Sequence, residues 1–474
     1  MRSSVALLAA FVLFATGLPG AAAATDGDRP DFDEIDSFVT DYLDRHGLAG
    51  ASIAVVKDGH VLHTAGYGDT GENRVSSETP MDLGSVSKSI TAFAMLQLVD
   101  AGNMALDDPV VEHLPEFKLD DPRASQITVR QLLSQTSGLP NPTVVPPAAD
   151  LTQAVARLGD WQLSADPGDR HAYSNANYWL AARLVEVVSG ADFATYLDRN
   201  IFEPLGMADT RVVEDLGADD PGLQHGHVTA YGMALPMPAM EQFVAGAGGV
   251  ISTAEDMARW LAMLTDQGRT PAGERLLSAK LLKEAQSPQP SSAQYGLGWS
   301  ISGPDVKPAR MGHSGTSSSH SAQLDVVPGS GYGVVVLLNS FTPTYEHNYA
   351  IGDGIIDITE GDSASPGAPV ATLIDGGLGV FTLAIFALTV FGVRRARSWA
   401  NKRSDWPGWR FALRLAPHLV FPILAALAFV VLPSLQNNTA TPMDVFGFWP
   451  AALVLLLTLA ASGVALAGVR VVFR

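Results

Sequence analysis

Ala51-Ser-Ile-Ala-Val-Val-Lys-Asp-Gly-His-Val-Leu-His-Thr-Ala65 is the stretch that decides how the rest of the chain folds around it. Two apolar runs, 51–56 and 61–65, flank Asp58-Gly59, and an Asp-Gly pair between such runs predicts a β-hairpin closed by a tight turn. Far downstream the pattern returns: 322–327 and 332–338 flank Pro328-Gly-Ser-Gly331 and predict a second hairpin. Ile35, Phe38, Val39, Tyr42 and Leu43 recur at helical spacing before the first hairpin, with Gly47 placed to end that helix. Another helix is expected over 345–359. Between the hairpins, from Ser85 to about Leu264, the pattern is mostly helical. Strands at both ends with helices between them predict an α+β class, in which one antiparallel sheet is flanked by helices and carries an inserted helical subdomain. A crevice where the two parts meet is the expected ligand site.

Both ends of the chain are apolar. Residues 1–24 read as a signal peptide: Arg2 is followed by an uncharged run over 5–18 and by the small residues Ala21 to Ala24. Toward the other end, three segments at about 376–393, 415–435 and 446–469 are long and apolar enough to predict transmembrane helices. The expected division is therefore a soluble domain over 30–362, a Ser/Pro/Gly linker over 363–372 and a membrane domain over 373–474. Arg394, Arg395, Arg397, Lys402 and Arg403 follow the first segment, and Arg470 and Arg474 close the third. By the positive-inside rule these ends face the cytoplasm, leaving the large domain extracytoplasmic on a multi-pass cell-membrane protein. Asp375 and His418 are the ionisable residues of this tail that invite a transport or sensing role, but both stand near segment ends, where a side chain can reach water. The lipid bilayer is thus one expected partner.

The formal charge of −19 is unevenly spread. From Leu373 onward the net charge is +6, and Arg2 adds one more, so the intervening body carries −26. Such an acidic body is a poor match for nucleic acid or anionic lipid surfaces. The absence of cysteine excludes thiol chemistry and disulfide stabilisation, leaving a large core to hold the fold.

Three short motifs carry chemistry. Ser85-Val-Ser-Lys88 opens a helix predicted over 90–101, which places Ser85 and Lys88 on one face. A helix start favours a developing alkoxide, and burial would lower the lysine pKa so that its neutral amine can take the serine proton. Tyr173-Ser-Asn175 precedes an apolar helix predicted over 178–188, and a phenol near a lysine can shuttle protons while Asn175 offers both a donor and an acceptor. Gly312-His-Ser-Gly-Thr316 precedes the second hairpin, where Gly315 would admit a ligand closely and the Thr316 amide could pair with that of Ser85 as an oxyanion hole. Each motif by itself also fits ordinary structure: a chance Ser-x-x-Lys, a packed loop tyrosine, a glycine-rich loop. His225-Gly-His227 lacks a third ligand at a telling spacing and reads as a loop histidine pair, so no metal site is expected.

Taken together and in this order, the motifs resemble the class C β-lactamase-like, low-molecular-weight penicillin-binding protein family of serine hydrolases. The likeness runs from about Asp33 to Gly361 and takes in Leu106-Asp-Asp-Pro-Val110 with His113-Leu-Pro115, Ile127-Thr-Val-Arg-Gln-Leu-Leu-Ser-Gln-Thr-Ser-Gly-Leu-Pro140 and Phe202-Glu-Pro-Leu-Gly-Met207. It also includes Gly248-Gly-Val-Ile-Ser-Thr253 with Asp256-Met257, and Tyr295-Gly-Leu-Gly-Trp299. The resemblance implies an acyl-enzyme mechanism with no metal or cofactor. It assigns Ser85 as nucleophile, Lys88 as its proton partner and Tyr173 as general acid/base. Asn175, His313, Ser314, Gly315 and Thr316 would hold the substrate, with the Ser85 and Thr316 amides as the oxyanion hole.

Efficient β-lactamases of that family carry lysine where this chain has His313. A histidine is only partly charged at neutral pH and is the weaker partner for a substrate carboxylate. The expected substrates are therefore D-amino-acid peptides or small esters ahead of β-lactams. Gln135 also replaces a histidine common in the family's connecting segment. The rival expectation is a non-catalytic penicillin-binding sensor or scaffold that signals through the membrane tail.

Overall fold

The computed structural model describes residues 30–71, 73–141, 148–217, 222–223, 225–239, 242–427 and 449–474. The signal expected over 1–24 lies outside them, as do 428–435 of the second expected span and 446–448 of the third.

Helix α1 (Phe32–His46) starts on Asp31, whose carboxylate accepts the N–H groups of Asp33 and Glu34, and it ends at Gly47 in the left-handed region at φ 66°. Strands β1 (Gly50–Lys57) and β2 (His60–Gly68) form the expected hairpin, with positive φ at both Asp58 and Gly59, as a two-residue turn of this hand requires. Next come the short strand β3 (Met81–Asp82), helix α2 (Ser87–Asp100) and helix α3 (Ala176–Ser189). A second hairpin, β4 (Gly226–Ala230) and β5 (Met233–Met237), precedes strand β6 (Val250–Ser252) and helix α4 (Ala254–Thr265). The domain closes with β7 (Ser300–Ile301), β8 (Met311–Thr316), β9 (Ser321–Val327), β10 (Tyr332–Leu338) and helix α5 (His347–Thr359).

The main sheet runs β7-β8-β9-β10-β1-β2, antiparallel throughout, so both ends of the domain meet where β1 pairs with β10. Its central strands are buried on both faces, which is why they read as unbroken apolar runs. Alternation still divides them. Ala51, Ile53, Val55, Val334 and Val336 pack with α1 and α5, whereas Ala54, Val56, Val335 and Leu337 pack with α2, α4 and the helical lobe. Each fully buried valine or isoleucine contributes about 1.5–3 kcal/mol, so the strand pair that joins the ends is firmly held from both faces. Helix α2 is buried over nearly its whole length and packs against α3. The α+β expectation therefore holds.

Beyond the domain the chain has no regular secondary structure from 363 to 369, and helix α6 (Val370–Arg394) begins at Val370, within the expected linker. Helix α7 (Pro450–Val472) packs along it. These two helices are long and apolar enough to cross a membrane. Shorter helices lie between them at Ala396–Asn401, Gly408–Leu415 and Val420–Ala426. Asp375 does not reach for water. It is buried, and its carboxylate accepts the backbone N–H of Tyr231 and the indole N–H of Trp449, each at 3.0 Å.

Candidate active site

The Ser85 turn is a single 3₁₀ turn, Gly84–Val86, that runs directly into α2. Gly84 has φ 48°, and a Cβ there would stand 2.6 Å from the Thr316 backbone nitrogen. Gly315 is pressed on the same turn from β8, because a Cβ on it would lie 1.9 Å from the Leu83 carbonyl oxygen and 2.9 Å from the Ser85 nitrogen. Glycine at both positions lets β8 approach the serine turn backbone to backbone. The Ser85 and Thr316 amides thereby come to neighbouring places at the rim of one cavity of about 50 Å³, which Asn175, Phe243 and Ala247 also line.

Lys88, one turn into the helix, is completely buried. Its Nζ donates to Ser85 Oγ at 3.0 Å and to the Ala247 carbonyl at 2.7 Å. Burial holds its pKa well below the ordinary lysine value. Tyr173 Oη donates to the same Ser85 Oγ at 2.9 Å, and its ring lies 4.9 Å from Lys88 Nζ. Burial pushes the phenol up to about 12, so it stays protonated at neutral pH. The serine oxygen therefore stands between a lysine disposed to be neutral and a phenol that keeps its proton.

Asn175 lines the cavity just before α3, and its backbone N–H donates to Asn141 Oδ1 at 3.1 Å. The described hydrogen bonds of Lys88 go to Ser85 and Ala247 rather than to Asn175. His313 departs from expectation. It is buried, with Nε2 2.9 Å from the Tyr295 hydroxyl and Nδ1 2.6 Å from the Ser314 carbonyl. Burial and the nearby Lys88 lower its pKa to about 3, so it is neutral rather than partly charged and brings no cation to the cleft. Ser314 is half-buried and Thr316 exposed on the same strand. His225 and His227 are not a loop pair: His225 is exposed, while His227 is buried on β4 with Nδ1 3.0 Å from the Asn339 carbonyl.

Several positioning groups escaped the sequence reading. Gln135 adopts φ 59°; its carbonyl accepts Ala172 N–H at 2.8 Å and its Oε1 accepts Ser174 N–H at 2.9 Å, so it brackets Tyr173. Ala247 supplies the carbonyl that orients Lys88, and Tyr295 holds His313. Asp82 is buried at the cavity edge, where its Oδ1 accepts Gly84 N–H at 2.9 Å. The Gly-rich run 246–249 and the Gln135 replacement were the available signals.

The Beta-lactamase family model matches residues 35–353. Protein flp of Staphylococcus aureus strain N315 is 27% identical over 320 residues, 65% of this chain and 62% of its own length, so the match leaves more than a third of that relative unspanned. Penicillin-binding protein 4 of Amycolatopsis lactamdurans is 30% identical over 319 residues, 63% of this chain and 83% of that protein. Among solved structures, a D-stereospecific amidohydrolase from Streptomyces sp. is similar with TM-score 0.55 and 25% identity, over 66% of this chain and 95% of that one.

Proposed function

Since this chain belongs to the Beta-lactamase family of serine hydrolases, we propose that it cleaves D-amino-acid peptides or small esters through an acyl-Ser85 intermediate. The observation that carries the reading is Ser85 Oγ held by Lys88 Nζ at 3.0 Å and by Tyr173 Oη at 2.9 Å. In acylation the serine proton passes to neutral Lys88 as Oγ bonds to the scissile carbonyl carbon. The oxyanion so formed is received by the Ser85 and Thr316 amides. On collapse, the bond to the leaving amine or alkoxide breaks and that group takes the Tyr173 proton, which Lys88 returns to the phenolate. Water then repeats the sequence in reverse order and frees Ser85. Asn175 and Ser314 would orient the substrate amide, with Gly315 giving it room.

A neutral His313 supports the substrate ranking, because the carboxylate of a β-lactam or a D-Ala-D-Ala terminus would find no cation there. The named amidohydrolase relative points the same way. The proposed setting is a membrane-anchored, extracytoplasmic domain over 30–362, with a signal over 1–24 and three transmembrane segments; α6 and α7 support two of them. The bilayer is then a partner of the tail.

Intact mass of the detergent-solubilised full chain, incubated with a fluorophosphonate and separately with benzylpenicillin, tests the reading. A fluorophosphonate adduct absent from Ser85→Ala is expected, with slow or no penicillin adduct. Labelling that persists in Ser85→Ala would overturn it.

A further inference from the structure

Asp82 lies in β3, which pairs with β6, and its side chain is 1% exposed. Oδ1 accepts the N–H of Gly84, the residue before the nucleophile, at 2.9 Å. Ser317, which directly follows Thr316, lines the same cavity, but its hydroxyl donates to the His320 carbonyl at 3.4 Å. No donor among the described residues is placed to hydrogen-bond Oδ2. A buried carboxylate with an unused oxygen is destabilising in itself, so its place at the cavity edge calls for a reason other than folding.

The contacts supply one. Gly84 precedes Ser85 and also abuts the other amide, since a Cβ on it would stand 2.6 Å from the Thr316 nitrogen. The Ser85 N–H belongs to the Gly84–Ser85 peptide unit, whose direction is set by the backbone angles of Gly84. With φ at 48° and no side chain, Gly84 is the freest joint in the turn. A bond from its N–H to a fixed acceptor anchors the peptide plane from which that joint turns. We propose that Asp82 is a positioning residue that anchors the nucleophile turn at Gly84 and so fixes the place of the Ser85 amide beside that of Thr316. The role rests on the acyl-Ser85 reading.

Burial raises the Asp82 carboxyl to about 6; the groups that act on it are the Gly84 amide and the Ser317 hydroxyl, with no charged side chain among them. The folded protein thus favours the protonated acid more than the unfolded chain does. The cost of holding Asp82 ionised is full above about pH 6 and fades as the pH falls toward the unfolded value of 3.8. A residue kept for stability would not behave so.

The test uses the full-length enzyme, an activated ester, and active sites counted by fluorophosphonate titration. Ester turnover is first shown to vanish in Ser85→Ala; turnover that survives there overturns the acyl-Ser85 reading and this proposal with it. Given that control, Asp82→Ala is expected to lower kcat per titrated site roughly 10- to 100-fold with KM little changed, the scale of a misplaced oxyanion donor. Asp82→Asn, which keeps an acceptor for Gly84, is expected to restore most of kcat and to raise Tm clearly at pH 8 but hardly at pH 4. If Asp82→Ala does not fold, Asp82→Leu, which nearly keeps the volume but lacks an acceptor, takes its place, and a fall in kcat at constant KM is again expected. Unchanged kcat per site in Asp82→Ala or in Asp82→Leu overturns the proposal, as does a loss in Asp82→Asn as deep as in Asp82→Ala.

Discussion

Asp375, in the first turns of α6, accepts the backbone N–H of Tyr231, at the tip of the β4–β5 hairpin, at 3.0 Å. Tyr231 is left-handed at φ 54°, and the second carboxylate oxygen holds Trp449 at the entry to α7. One buried acid thus joins the catalytic domain to both apolar helices. A flexible tether would need no such joint.

Asp375→Leu should therefore free the domain from the tail while keeping α6 apolar. Losing hydrogen bonds to a charged acceptor costs about 1.5–3 kcal/mol apiece, enough to raise the detached population at least about tenfold. Limited proteolysis of the 363–369 segment in detergent measures this, and an unchanged cleavage rate would count against the joint.

Lys88 must be neutral to take the serine proton, and burial has already moved its pKa well below 10.5. The rate should rise with pH through that lowered value and level off well short of 10.5. Lys88→Arg places a permanent cation beside Ser85 and should cut kcat about 10³-fold. Stopped-flow acylation by an activated ester across pH would show both; a rise only near the ordinary lysine value would contradict the buried-amine account.

His313→Lys would put a cationic end on β8. Acylation by benzylpenicillin should quicken about tenfold relative to a neutral ester, the scale of one charge-assisted hydrogen bond. Equal effects on both substrates would show that the position does not read the carboxylate.

His320 is buried beside His227, and its pKa is lowered to about 4 from 6.5 by burial and by that neighbour. The unfolded chain binds this proton first, so the contribution to stability is whole above about pH 6.5 and is lost as the pH falls toward 4, about 3 kcal/mol in all. His313 and His347, each lowered to about 3, act in the same direction. Asp82 and Asp325, raised to about 6, oppose them. His320→Asn should flatten the fall of Tm between pH 6.5 and 4; a curve parallel to wild type would remove His320 from the account.

The sequence by itself determined what short-range chemistry can encode. Asp58-Gly59 and the apolar runs beside it announced the hairpin that joins the sheet, because turn type and alternation are local properties. Gly47 as a helix stop, the Ser85-Lys88 spacing at a helix start and the apolar lengths of α6 and α7 were legible for the same reason. Tertiary structure decided the states of the groups. His313 looked half-charged until Tyr295 and the surrounding core removed its water. Lys88 takes its orientation from Ala247, which lies 159 residues away, and Gln135 brackets Tyr173 from another loop. Asp375 looked like a residue on its way to solvent until Tyr231 and Trp449 closed over it. Period and turn residues survive in a linear reading, whereas desolvation and hydrogen-bond partnership arise only when distant segments exclude water together.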